Sequence, residues 1–78
     1  MATDLYHEQD KDPHENLSDR EFEILKMIAS GLTTKTIATE LIISPKTVST
    51  YRGRILDKLS IKNNSDIIHY VIDYNLAD

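Results

Sequence analysis

The sequence predicts an all-α domain, a compact four-helix bundle with a central helix-turn-helix. Apolar residues recur at helical spacing in four segments, near residues 18–30, 34–41, 45–59 and 63–75. A residue type that favours a helix N-cap opens each segment, and only three residues separate the second segment from the third. The chain has 78 residues and no cysteine, so a modest apolar core without disulfides must hold it together.

Residues 1–16 lack this periodicity. They carry five acidic residues against one lysine, a net charge of −4, and Pro13 interrupts any helix there. His7 and His14 are isolated, so we interpret them as solvated linker histidines and not as metal ligands. The sequence therefore predicts an acidic disordered linker or arm over residues 1–16, and a folded domain over 17–78.

The first helix has recognisable signals at both ends. Ser18 and Glu21 form a capping-box pattern, in which each side chain bonds the backbone amide of the other. Leu17 precedes the cap and can pack on Phe22 as a hydrophobic staple. Gly31 follows the last apolar residue and is typical of a helix C-terminus. We interpret this helix as scaffold.

The second and third helices form the helix-turn-helix unit. Either Thr33 or Thr34 can cap the second helix, which ends near Leu41. The connection that follows is too short for anything but a tight turn. Ser44 is a good N-cap for the third helix, and Pro45 suits its first position.

The third helix has two chemically different faces. Val48, Ile55 and Leu59 share one face, with Tyr51 near it. The opposite face carries mostly short polar side chains, and cations flank it. The residues of this face are Lys46, Ser49, Thr50, Gly53 and Asp57, and the flanking cations are Arg52, Arg54 and Lys58. Small polar groups framed by cations can press closely against a polyanion, so we expect this helix to enter the major groove of DNA.

The distribution of charge supports a polyanionic partner although the whole chain carries −4. Residues 17–78 hold eight basic and eight acidic groups, which cancel. Within them, residues 35–62 hold six basic groups against two acidic ones, a net +4. The local field governs the encounter with DNA, so this region outweighs the acidic arm.

The fourth helix has more apolar surface than a single core-facing stripe needs. Asn63 is its expected N-cap, and Ile67, Ile68, Val71 and Ile72 follow at close spacing. Two explanations stay open. Either the stripe is wide because the helix is terminal, or part of it binds a partner.

Several motifs, in order and without gaps over about residues 17–75, resemble the LuxR-type helix-turn-helix family. They are Leu17-Ser18-x-Arg20-Glu21, Ile24-Leu25, Gly31-Leu32-Thr33, Ile37-Ala38, Leu41, Ser44, Lys46-Thr47-Val48 and Lys58-Leu59. The resemblance implies a DNA-binding domain of a bacterial transcription regulator, and in particular the effector domain of a two-component response regulator. It implies double-stranded DNA as partner, an upstream receiver domain in the full-length protein, and RNA polymerase as a further contact.

The resemblance also implies roles for individual residues. Positions facing base edges are Ser49, Thr50 and Gly53, the last of which is lysine in some members. Positions that contact the DNA backbone, or lie beside such positions, are Thr34, Lys35, Lys46, Thr47, Arg52, Arg54 and Lys58. The fourth helix often pairs two copies in this family, which implies a weak homodimer through Ile68, Val71 and Ile72.

An enzyme is the least favoured class. The sequence has no cysteine, no glycine-rich phosphate loop and no metal-ligand spacing, and His69 is the one histidine of the predicted domain. We therefore expect neither catalytic residues nor a metal or cofactor. The alternative function is a helical protein–protein interaction module that dimerises without touching DNA. Apolar or aromatic anchors on the outward face of the third helix would favour it, and that face has none. No apolar run is long enough to span a membrane, so we expect a cytoplasmic protein.

Overall fold

A computed structural model describes residues 12–77, and within them the chain forms four α-helices preceded by a short 3₁₀ helix. The 3₁₀ helix is Pro13–Asn16; the α-helices are α1 Asp19–Ala29, α2 Thr34–Leu41, α3 Pro45–Leu59 and α4 Asn64–Asp73. The all-α class and all four predicted helices are confirmed, with boundaries that differ by at most two residues.

The predicted N-caps are in place. Ser18 Oγ accepts a hydrogen bond from the Glu21 amide at 3.1 Å, and a Glu21 carboxylate oxygen accepts one from the Ser18 amide at 2.8 Å. Thr33, and not Thr34, caps α2. Ser44 and Asn63 cap α3 and α4 in the same way. Each cap satisfies an amide that the helix cannot pair internally.

The C-terminal ends follow the sequence signals less closely. Gly31 has φ 93° and closes α1 as expected, with the Leu32 amide bonded to the Met27 carbonyl. Helices α2 and α3 instead end on Ile42 and Ser60, both left-handed, with φ of 58° and 56°. The left-handed region is costly for a β-branched residue, and the side chain of Ile42 is 90% exposed.

One apolar core joins the four helices. Helix α1 packs on α3 and α4, and α2 packs on α3. The most completely buried side chains are Ile24, Leu25, Ile37, Val48, Ile55 and Ile67. Ala38 is buried as well, and its small side chain allows the close crossing of α2 and α3 that a helix-turn-helix needs. Leu17 and Phe22 are partly buried and each packs against this core, and the predicted staple contact between them stays a prediction.

The structure corrects the interpretation of residues 12–16. The prediction placed them in the disordered arm, yet Pro13–Asn16 forms a 3₁₀ helix that packs on α3. The backbone amide of His14 donates to the hydroxyl of Tyr70 at 3.0 Å, and His14 Nδ1 lies 3.0 Å from the same oxygen. His14 is therefore part of the folded domain and not a solvated linker residue. His7 and the rest of 1–11 lie outside the described residues, so the division of the chain remains a prediction there.

Aromatic packing reinforces this contact. The rings of Tyr70 and Tyr74 stack with centroids 4.3 Å apart, and the His14 ring meets Tyr74 edge-on at 5.4 Å. Burial raises the pKa of the Tyr70 hydroxyl above its ordinary value. The contact was not predictable from local pattern because its two partners are 56 residues apart.

Over residues 12–77, none of the helices combines the length and the apolar character that a membrane span requires.

Candidate nucleic-acid interface

The outward face of α3 is open to solvent as predicted. Ser49, Thr50 and Gly53 are all exposed, whereas Val48 and Ile55 on the opposite face are buried. The helix thus divides into a buried side that fixes its position and an outer side with little relief. A surface of small side chains on a firmly held helix is suited to close contact with a groove.

Gly53 has no packing reason to be glycine within the domain. Its backbone is helical, and beyond its own helix turn no described atom lies within 4 Å of a Cβ built on it. Alanine would fit there and would stabilise the helix by up to about 1 kcal/mol. The free domain therefore gives no packing reason for glycine here, and close approach of another molecule would be one.

Thr50 presents its methyl group more freely than its hydroxyl. The hydroxyl donates to the backbone carbonyl of Lys46 at 3.1 Å, one helical turn back. This bond holds the side-chain rotamer and occupies the hydroxyl proton, so the hydroxyl is left as an acceptor. The methyl remains available for an apolar contact, such as one with a thymine methyl.

The predicted backbone-contact residues differ in their exposure and in their contacts within the protein. Lys35, Lys46 and Thr47 are exposed, and Thr34 is half-buried at the first position of α2. The hydroxyl of Thr47 lies 2.9 Å from that of the N-cap Ser44, so it belongs to the start of α3.

The two arginines of α3 are held by different contacts. The Arg54 guanidinium lies over the Tyr51 ring, 5.9 Å from its centroid. Arg52 donates from Nε to the side-chain oxygen of Asn64 at 2.7 Å. Sequence reasoning missed Asn64, because its neighbour Asn63 carries the capping signal and nothing local links position 64 to α3.

Lys58, predicted to lie at or beside the DNA backbone, has partners within the domain. Its ammonium group donates to a Glu21 carboxylate oxygen at 2.8 Å and to the Asn16 carbonyl at 3.2 Å. Glu21 is only 3% exposed, and its hydrogen bond to Lys58 lowers the pKa of that carboxyl below 4.5. The ammonium group of Lys58 therefore has a charged partner within the domain, while the lysine side chain stays 39% exposed.

Helix α4 also requires a correction. Val71 is 2% exposed and belongs to the core, so it cannot form a contact surface as predicted. Ile72 is 67% exposed, and Ile68 is partly exposed. Both lie in the lining of a groove of about 230 Å³ between α1 and α4, which Lys26, Ala29, Ser30, Val71 and Ala77 also line. One edge of the stripe is core and the other is open, and the pairing of two copies through the open edge stays a prediction.

Comparison with known families decides the classification. Residues 15–71 match the family described as bacterial regulatory proteins, luxR family (GerE), which is well over half of the chain. The chain belongs to the luxR family. This confirms the resemblance, and because the family is one of DNA-binding regulators, the domain binds DNA in the control of transcription.

Individual relatives agree with this assignment. The oxygen regulatory protein NreC of Staphylococcus carnosus is 40% identical over 67 residues, covering 86% of this chain and 31% of the relative. The transcriptional regulatory protein TdiR of Thauera aromatica is 48% identical over 56 residues, or 72% of this chain and 25% of TdiR. The response regulator GacA of Pseudomonas aeruginosa is 38% identical over 71 residues, or 91% and 33%. The chain therefore spans a quarter to a third of the length of these relatives.

Within this luxR-family domain, the buried Val48 and Ile55 hold α3 in the core, and its outer face stays open to solvent. No group of three or more side chains suited to hold a metal ion occurs within residues 12–77.

Proposed function

We propose that this luxR-family domain inserts α3 into the major groove of duplex DNA and acts as the effector domain of a two-component response regulator. The observation that supports the groove assignment is the outer face of α3, which is exposed, small and polar, with cations beside it. The response-regulator assignment rests on relatives such as GacA and on the short fraction of their length that this chain matches.

In this proposal Ser49, Thr50 and Gly53 face the base edges. Neither hydroxyl offers the bidentate contact by which arginine or lysine reads guanine. The Thr50 methyl is the side-chain group best placed for discrimination, through contact with a thymine methyl. Sequence-dependent shape of the DNA then contributes a large part of the specificity.

Affinity comes mainly from contacts to phosphates. The proposed contacts are Thr34, Lys35, Lys46, Thr47, Arg52 and Arg54, with Lys58 left out for the reason given above. Each neutralised phosphate releases condensed counterions, which makes binding strongly dependent on salt. The net +4 over residues 35–62 provides the attraction that the chain as a whole, at −4, lacks.

Two copies pair through the open edge of α4 and read two half-sites. Ile68 and Ile72 supply the apolar contact, and the groove beside them gives it depth. The patch is small, so the isolated domain pairs weakly until DNA or an upstream receiver domain brings two copies together. In the complete regulator, which we expect in the cytoplasm, the DNA-bound pair would contact RNA polymerase.

Selection of bound duplexes from a random pool, repeated at two salt concentrations, tests the proposal. We expect a paired motif with half-sites about one helical turn apart or closer, and much weaker recovery at the higher salt. Recovery of unrelated duplexes with no shared motif at either concentration would contradict sequence-specific readout. A single unpaired half-site would retain the groove assignment and contradict pairing through α4.

The same selection with Ile72→Asp separates pairing from folding. Ile72 is exposed, so the charge should abolish the paired motif and leave the single half-site and the melting temperature nearly unchanged. A large fall in melting temperature with the paired motif intact would show that the α4 edge is core.

A further inference from the structure

A hydrogen bond between Arg52 on α3 and Asn64 on α4 joins the two helices. Arg52 is one of the proposed DNA-contacting cations, and its partner Asn64 is uncharged. Arg52 Nε lies 2.7 Å from Asn64 Oδ1, and the two residues are 12 positions apart. A guanidinium can only donate, so the amide oxygen is necessarily the acceptor. The bond directs the plane of the guanidinium because Nε is the nitrogen nearest the helix.

Asn64 is itself firmly placed. It is the first residue of α4, directly after the N-cap Asn63, whose side-chain oxygen accepts from the Asp66 amide at 2.9 Å. A second bond, from the Lys62 amide to the Asp66 carboxylate at 3.0 Å, fixes the turn before the helix. The acceptor that Arg52 meets is thus attached to an ordered helix start.

The bond contributes little to folding. Asn64 is exposed and Arg52 is half-buried, so both groups would be well hydrated if they separated. An exposed hydrogen bond of this kind has a small net effect on stability. Its clearer effect is to restrict a side chain that otherwise samples many rotamers.

Lys58 provides an informative contrast on the same helix. Its partner is the carboxylate of Glu21, which cancels the charge and anchors the lysine in the scaffold. The partner of Arg52 is a neutral amide, which orients the guanidinium and leaves its full positive charge in place. With Nε occupied, the four N–H groups on Nη1 and Nη2 remain for a phosphate, in the fork geometry that suits its oxygens.

We propose that Asn64 is a positioning residue for DNA binding, which pre-orients the guanidinium of Arg52 toward a backbone phosphate. The inference rests on the proposed contact between Arg52 and the DNA backbone. It assigns to the start of α4 a part in DNA affinity, separate from any part that the helix has in pairing. The residue touches Arg52 and acts through it, and needs no contact with DNA of its own.

A double-mutant cycle on the 78-residue chain tests this inference, with binding to a selected duplex and to an unrelated duplex titrated over a range of salt. Arg52→Ala should weaken binding to both duplexes and reduce the slope of log K against log salt by up to about 0.9. Asn64→Ala should weaken binding about two- to tenfold, the effect of having to immobilise one long side chain on binding. It should leave the salt slope unchanged, because no charge is lost. The double variant should bind like Arg52→Ala alone.

Asn64→Asp distinguishes positioning from a purely structural link. Aspartate keeps an acceptor for Arg52 and preserves or raises the melting temperature, yet it cancels the charge, so binding should fall further than with Asn64→Ala. The matched control is Asn63→Asp, which adds the same charge one residue away and keeps the N-cap. It should weaken binding less than Asn64→Asp does.

The outcomes distinguish failure of the positioning role of Asn64 from failure of the proposed contact between Arg52 and the DNA backbone. If Arg52→Ala weakens binding and Asn64→Ala does not, the positioning role is wrong and the Arg52 contact stands. If Arg52→Ala leaves affinity and salt slope unchanged, both are wrong. If Asn64→Ala lowers the melting temperature without affecting binding, or weakens binding equally when Arg52 is absent, Asn64 does not act through Arg52 and the inference is overturned.

Discussion

The outer face of α3 and the region where α4 meets the N-terminal 3₁₀ helix differ in almost every physical respect. The first carries small, exposed side chains, and one of its residues, Gly53, has empty space around it. The second contains Tyr70 and Tyr74 stacked together, with His14 bonded to one and packed on the other. Contacts within the domain therefore account for the second region, whereas the free domain gives no packing reason for Gly53 in the first.

The Glu21–Lys58 pair shows how the two regions are connected. Lys58 lies at the C-terminal end of α3 and donates to both the Glu21 carboxylate and the Asn16 carbonyl, so the pair links α3 to α1 and to the 3₁₀ helix. One end of α3 is thus scaffold and the rest of its outer face is available. Positive charge on this helix is consequently a poor guide to DNA contact unless the partner of each cation is known.

The largest expected effect comes from Lys58→Ala. Removing the lysine leaves the buried Glu21 carboxylate without its cation, which should lower the free energy of unfolding by about 2–3 kcal/mol, less than for a fully buried pair because Lys58 is partly exposed. Denaturant titration at neutral pH measures this. A loss of DNA affinity with stability unchanged would return Lys58 to the interface.

The pH dependence of the free energy of unfolding tests the Glu21–Lys58 pair a second time. The folded-state pKa of Glu21 lies below its ordinary value of 4.5, so its contribution to stability is present above that pH and is lost as pH falls through the folded value. The stability difference between wild type and Lys58→Ala should therefore shrink on acidification below about pH 4.5. A difference that stays constant down to strongly acidic pH would contradict the assigned pair.

Thr50→Ala should change specificity and leave stability nearly intact. We expect a shift of about 1–3 kcal/mol in preference at one base pair, because the exposed methyl is lost. Thr50→Val keeps the methyl and removes the hydroxyl, so it should retain most of the preference. Binding to a panel of single-base variants measures both, and an equal loss on every duplex would show that Thr50 does not read a base.

Tyr70→Phe, unlike Thr50→Ala, should change stability and leave DNA binding intact. It leaves the His14 amide without its acceptor and should destabilise the domain by about 1 kcal/mol, with DNA affinity unchanged. His14→Ala retains the backbone bond and loses the ring contacts, which makes it a useful companion. Thermal melts together with one binding isotherm for each variant would reveal any coupling between this region and the DNA face.

Gly53→Ala should change stability and DNA affinity in opposite directions. Alanine should stabilise the free domain by up to about 1 kcal/mol and at the same time weaken DNA binding, if the backbone lies close to DNA. Serine at the same position is a bulkier control. An increase in stability with unchanged affinity would mean that glycine is not required for close approach.

What the sequence predicted well was local. N-caps at Ser18, Ser44 and Asn63, the glycine end of α1 and the inward faces all depend on residues within one or two helical turns. Helical spacing places Ser49 and Thr50 outward with the same certainty that it places Val48 inward. Because Ser49, Thr50 and Gly53 also lie on one helix, their exposure on its outer face was predictable, and their contact with DNA stays a prediction.

What it missed depends on contacts between distant residues. Nothing near Lys58 indicates that Glu21, 37 positions earlier, neutralises it, and nothing near His14 indicates Tyr70. Val71 was placed at a surface because periodicity identifies an apolar face and cannot say which edge of a wide face is covered. The left-handed end of α2 at Ile42 was also unpredictable, since the residue type disfavours that conformation.

The salt dependence of DNA binding by Lys46→Ala and Arg54→Ala tests the central claim most directly, with Arg20→Ala as the control. Arg20 lies on α1 in an exposed pair with Glu23, so its removal changes the net charge equally but away from α3. Each α3 variant should weaken binding to all duplexes alike and reduce the salt slope by up to about 0.9, while Arg20→Ala should change the slope little. Equal slopes for all three variants would contradict the placement of α3 in the groove.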